Sequence, residues 1–166
     1  MPLMDPLIME LDREASTTRK MLERVPDDKL DWRPHAKSTP LGKLALHLAT
    51  LPGRFCTRLN EDGFDVSTAT PPPPPASAAE IVKTFDEGVA AAKKALASID
   101  DAKAMGTWTL SFKGKTIASM PRVGIVRTLL LNHSVHHRGQ LSVYLRLLDV
   151  PLPPVYGPTA DENPFA

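Results

Sequence analysis

The segment NHSVHHRGQLSVYLRLL, residues 132–148, decides how the chain is read. Three of its five histidines fall here within five positions, at 133, 136 and 137, inside an apolar stretch. On a helix turning about 100° per residue, His137 lies about 40° from His133, one turn on and on the same face. Val126, Leu130, Gln140, Tyr144 and Leu148 fall within about 60° of His133, so both histidines are expected in the middle of the buried stripe. His136 lies about 60° to the other side, at the stripe's edge. Arg127, Ser134, Arg138 and Arg146 collect on the outward side.

Two imidazoles one turn apart on a core-facing stripe need partners, because a buried ring must be hydrogen-bonded and is costly to protonate. A divalent metal would take both lone pairs and keep both rings neutral. Hydrogen bonds to Gln140, Tyr144 or water would serve as well, and the spacing alone leaves both readings open. A metal needs at least a third protein ligand. His47, in LALHLATLP, stands at the edge of another apolar stripe, where an inter-helix ligand or an ordinary boundary histidine would sit. His35 lies beside a proline in a connector and is expected to be exposed.

Outward from these residues the apolar spacing is helical throughout. Met4, Leu7, Leu11, Ala15, Thr18, Leu22 and Val25 mark a first helix, ended by Pro26 and the acidic pair after it. Thr39 is placed to cap a second helix with Pro40 in its first position, and Leu41, Leu44, Leu48, Leu51, Phe55 and Leu59 form its stripe. Pro52 is expected to kink that helix or end it early. The Pro-rich loop 70–76, with PPPPP at 71–75, reads as a stiff extended spacer. Ser77 and Glu80 form a capping box for a third helix along Ile81, Phe85, Val89, Ala92, Leu96 and Ile99. GTWTLSFKGKTIASM, 106–120, reads as a loop or small hairpin turning at Lys113-Gly114-Lys115. A long fourth helix is expected from about Pro121 to Leu148, then an irregular tail over 149–166. The fold class is all-α, a four-helix bundle in one domain, 1–166, with long connections that permit other than up-down order.

The bulk numbers narrow the function. A net charge of +1 with interspersed signs shows no basic stripe for nucleic acid. No apolar run approaches the roughly 18 residues of a membrane span, and the acidic N-terminus is unlike a signal peptide. The single cysteine, Cys56, sits in an apolar segment and reads as a core residue of a reducing compartment, so a cytoplasmic location is expected.

LDWRPHAKSTPLGKLALHLATLPGRF together with NHSVHHRGQLSVYLRLLDVPLPPVYGP resembles the DinB-like superfamily of bacterial helical-bundle proteins, over nearly the whole chain. The resemblance implies a long crossover between helices two and three, and a homodimer. It also implies a zinc or nickel ion on His47, His133 and His137, with a coordination position open to water or substrate. Relatives include transferases that use low-molecular-weight thiols such as bacillithiol or mycothiol. The chain is therefore expected to be a metal-dependent thiol S-transferase or hydrolase acting on a small molecule, with Gln140 and Tyr144 as supporting residues. The alternative is a non-catalytic, stress-associated metal-binding bundle. Trp32 is expected to anchor the WRP connector on the bundle, and Arg138 to form a structural or interface salt bridge.

Overall fold

Apolar residues three and four apart, with Pro6 in the first turn where its missing N–H costs nothing, give α1 (Asp5–Leu22) its single buried line. The structure, a computed structural model, describes residues 1–165. Leu7, Leu11, Thr18 and Leu22 are buried along α1 as expected, and so is Glu14, which is not apolar. A connector with one turn of 3-10 helix (Asp27–Lys29) leads to α2 (Leu41–Cys56). Here Thr39 does not cap: Pro40 stands at the N-cap and no side chain closes the end. The Leu41 and Gly42 amides bond back to the carbonyls of Trp32 and Leu30, so the connector satisfies the donors a cap would take. Pro52 is buried inside α2, and the helix continues past it to Cys56. Just beyond it, α2 crosses α3 (Ala78–Ala97) so closely that a Cβ on Gly53 would stand 3.2 Å from the Gly88 Cα. Only a glycine pair permits that approach, and the crossing fixes α2 against α3.

The capping box that opens α3 is present. Ser77 Oγ accepts from the Glu80 amide at 3.2 Å, and Glu80 reaches back to the Ala76 amide at 2.8 Å. A short α4 (Asp101–Met105) precedes the hairpin of β2 (Thr107–Phe112) and β3 (Lys115–Pro121). Its two-residue turn is Lys113-Gly114, both at positive φ, as a tight hairpin requires. The all-α expectation needs correction, because β1 (Gly63–Asp65) pairs parallel to β2 and completes a three-stranded sheet, β1-β2-β3. The Asp65 carboxylate accepts from the Lys113 and Gly114 amides at 3.1 and 2.8 Å, so the segment after α2 closes the turn of the later hairpin. Those bonds, with the Ser67 hydroxyl first among them, hold its pKa far below the carboxylate range.

The last rod is continuous but not uniform. α5 (Arg122–Ile125) passes into a π-helical stretch (Val126–Asn132) and then into α6 (His133–Leu147). Buried Arg122 ties this rod to the sheet. It donates to the carbonyls of Leu59, Glu61, Gly106 and Thr107 at 2.7 to 3.0 Å, and to Asp62 at 3.1 Å. The tail beyond Asp149 has no helix or strand and is pinned by Arg146–Asp161 and Arg24–Glu162. One connected set of buried residues joins α1, α2, α3, the sheet and α6.

The orientation of α6 differs from the expectation in two respects. Its buried positions are Arg138, Leu141 and Leu145, while His133 and His137 are half-buried and lie about a quarter turn to one side. Arg138 does not face outward: it is 2% exposed. Its guanidinium donates to the Glu14 carboxylate at 2.6 Å, to Thr18 Oγ1 at 3.1 Å and to Tyr156 at 2.9 Å, and Tyr156 also donates to Glu14. A charge surrounded by this many acceptors can be buried, which is why it occupies an apolar face. The salt bridge expected for Arg138 is therefore internal. Glu14→Ala leaves the guanidinium buried without its counter-charge and should cost about 3–5 kcal/mol in urea unfolding, while Glu14→Leu with Arg138→Leu should cost far less.

Candidate metal centre

His47 stands on α2 and His133 and His137 on α6, and the packing of these helices brings the three rings together. Ring centroids are 4.5 Å apart for His47–His137 and His133–His137, and 5.3 Å for His47–His133. One ligand nitrogen from each ring lies within 4.8 Å of the other two. His136 is excluded: it is exposed and reaches only the outer side of His137, with centroids 4.9 Å apart. His35 is exposed, its Nδ1 accepting from the Lys37 amide. Cys56 is buried in the core, where burial pushes its thiol up to about 12, too high for a nucleophile.

The hydrogen bonds restrict the tautomers. His137 Nδ1 meets Gln140 Oε1 at 2.7 Å, which places a proton on Nδ1 and turns the Nε2 lone pair inward. That Nε2 lies 2.7 Å from His133 Nε2, so with the Gln140 oxygen turned to His137 the proton between the two rings sits on His133 Nε2. His133 Nδ1 is then a buried bare lone pair with no hydrogen-bond partner. It faces the Leu129 carbonyl one turn back, near enough to favour a proton on the ring though outside ordinary hydrogen-bond geometry. A cation between the two Nε2 atoms removes the conflict. His133 then moves its proton to Nδ1, toward Leu129. The donor set therefore fits a metal that prefers imidazole. Two nitrogens about 2.05 Å from one ion stand about 3.4 Å apart at the tetrahedral angle and about 2.9 Å at a right angle. The pair at 2.7 Å must open by a few tenths of an ångström or slightly more.

All three rings are held toward neutrality. Burial first, then the charges of His137, His133 and Arg54, push the His47 pKa down to about 4. Burial also lowers His133 and His137, with Gln140 opposing the shift at His137. A cavity of about 500 Å³ opens on His47 and His137. Gln140 and Tyr144 line it, as do Lys37, Ser38, Thr39 and Lys43, which the sequence reading passed over. Lys43 was detectable one turn before His47; the connector residues carry no local signal. Tyr144 packs edge-on against Trp32 with centroids 5.9 Å apart, which anchors the connector on α6.

A profile of the DinB family matches residues 4–163. The chain belongs to the DinB family. It is similar to the uncharacterized protein YrdA of Bacillus subtilis, with 27% identity covering 96% of this chain and 91% of that one. Among solved structures it resembles a DinB-like protein from Bacillus cereus, at TM-score 0.69 and 24% identity over 90% of this chain and 95% of that one. It also resembles the DinB-like protein YjoA from B. subtilis, at TM-score 0.72 and 16% identity over 92% and 98%. At such identities the likeness concerns the fold. Among the described residues no helix is long and apolar enough to cross a membrane.

Gln140→Leu removes the acceptor that sets the His137 tautomer and should weaken zinc affinity about 10–100-fold, while Tyr144→Phe leaves it unchanged in competition titrations. In chelator-treated protein, the unfolded chain protonates His47 near pH 6.5 whereas the folded chain resists until about 4. Stability should therefore be full above pH 6.5 and decline as pH falls toward 4, with a shallower decline in His47→Gln, read from urea midpoints across pH.

Proposed function

We propose that this DinB family protein is a four-helix bundle with a long crossover between α2 and α3. In this reading it holds one zinc or nickel ion on His47, His133 and His137 and uses it to activate a low-molecular-weight thiol or water against a small-molecule electrophile. The observation that carries the reading is the convergence of one nitrogen from each of three imidazoles within 4.8 Å, with His133 Nδ1 buried and without a hydrogen-bond partner beside them. Three imidazoles leave a coordination position free, and a metal so held lowers the pKa of a bound thiol or water. Gln140 would keep His137 in its ligand tautomer, and Leu44 and Tyr144 would exclude water from one side of the cavity. Thiol transfer is favoured over hydrolysis. Among the described residues no carboxylate lines the cavity to serve as a general base, and a metal-bound thiolate needs none once formed.

Mass spectrometry of tag-free protein should find about one divalent ion per chain after zinc reconstitution, retained in His136→Ala and lost in His47→Ala, His133→Ala and His137→Ala. Wild-type protein that takes up no metal would overturn the reading and return the cluster to a hydrogen-bonded packing role. Metal binding with no turnover in a screen of thiols and electrophiles would leave the non-catalytic alternative.

A further inference from the structure

A second cavity, of about 440 Å³, runs along another face of α2 and shares His47 and Lys43 with the first. Its floor is set by Lys43, His47, Thr50 and Arg54, spaced four, three and four apart and so on one helix face. The wall facing them is Pro71–Pro75, the run that reads as a mere spacer in the sequence. Five consecutive prolines form a stiff strip with no N–H to donate, so the wall offers ring faces and carbonyls and little entropy to lose on binding. Leu46 and Val66 extend the apolar lining. The charge is one-sided. Lys43 and Arg54 have no ion-pair partner among the described residues, and Asp31 is the only carboxylate in the lining. An apolar slot of this volume lies within the range of small-molecule sites, about 300–1,000 Å³.

We propose that this cavity binds an amphipathic organic acid. Its carboxylate pairs with Arg54, its apolar body lies along Pro71–Pro75, and its far end reaches His47, with Lys43 adding positive potential there. The seven residues from Arg54 to His47 span about 10 Å of helix, the length of a phenyl ring carrying a short acid chain. The cavity's functional sense, delivery of the electrophile to the three-histidine centre, rests on the function proposed above; the binding itself does not require metal.

The test is calorimetric and NMR titration of the full chain, metal-free and zinc-loaded. The probes are 4-phenylbutyrate, 4-phenylbutylamine with the same body and opposite charge, and butyrate with the acid but no ring. Phenylbutyrate should bind about tenfold or more tightly than either control, moving amides of Leu46–Arg54, Ala69 and Ala76. Arg54→Gln should abolish the preference for acid over amine with zinc stoichiometry unchanged. Replacing Pro72, Pro73 and Pro74 together by glycine should weaken binding several-fold in a protein of unaltered circular dichroism. Equal binding of acid and amine, shifts confined elsewhere, or an undiminished preference in Arg54→Gln would overturn the proposal. Failure of zinc to bind would sink the metal reading alone, because the titration is then judged on metal-free protein. Zinc binding with no phenylbutyrate binding would sink this proposal alone.

Discussion

The rotation of α6 about its own axis is the constraint on which the rest depends, and Arg138 sets it. His137 and Arg138 are neighbours in sequence and so project about 100° apart. Burying the guanidinium against Glu14, Thr18 and Tyr156 turns one face of α6 into the core. The histidine face is thereby presented to α2. A helix packed only by leucines could slip by a fraction of a turn at little cost. A buried cation with charged and neutral partners cannot, because any slip strands a charge. The ion pair is thus a positional device, whatever its net contribution to stability.

The same logic operates at the other end of the rod. Arg122 binds four backbone carbonyls from the segments on either side of the sheet. A guanidinium has five donors in a rigid plane, and here they hold the end of α2, the start of β2 and α5 in one arrangement. Two buried arginines on one rod therefore fix its height against the sheet and its rotation against α1. The three-histidine cluster lies between these two fixed points.

Much of this was legible in the sequence, for identifiable reasons. The helices were, because burial on one side leaves a period of three and four, and the hairpin was, because Lys113-Gly114 sits between β-prone runs. β1 was not: three residues paired in parallel to a strand more than forty positions away leave no local period. Within the candidate centre, His133 and His137 stand out by their spacing, whereas His47 is marked only by its place at the edge of a stripe, and the family resemblance is what favours the ligand over the boundary reading. The stripe itself was centred a quarter turn wrong. Charged residues serve as markers of the solvent face in any periodicity argument, and Arg138 breaks that assumption through a partner 124 positions away. The polyproline run was read for stiffness alone, and stiffness does not reveal what a segment faces.

The π-helical stretch, Val126–Asn132, is a wider turn that gives way to α6 where the histidine cluster begins. The stretch closes with the His133 amide on the Leu130 carbonyl, three residues back, a tighter 3-10-type contact at the entry to α6. The wider turn carries a cost, since π geometry is rarely sustained and tends to mark functional positions. It ends at Asn132, immediately before the first histidine. At about 100° per residue Leu130 and Leu131 project about 60° and 160° from His133, on the side of Arg138, so their burial agrees with that of Arg138. The buried positions before and after His133 thus follow one face, and the histidines stand about a quarter turn from it, toward α2.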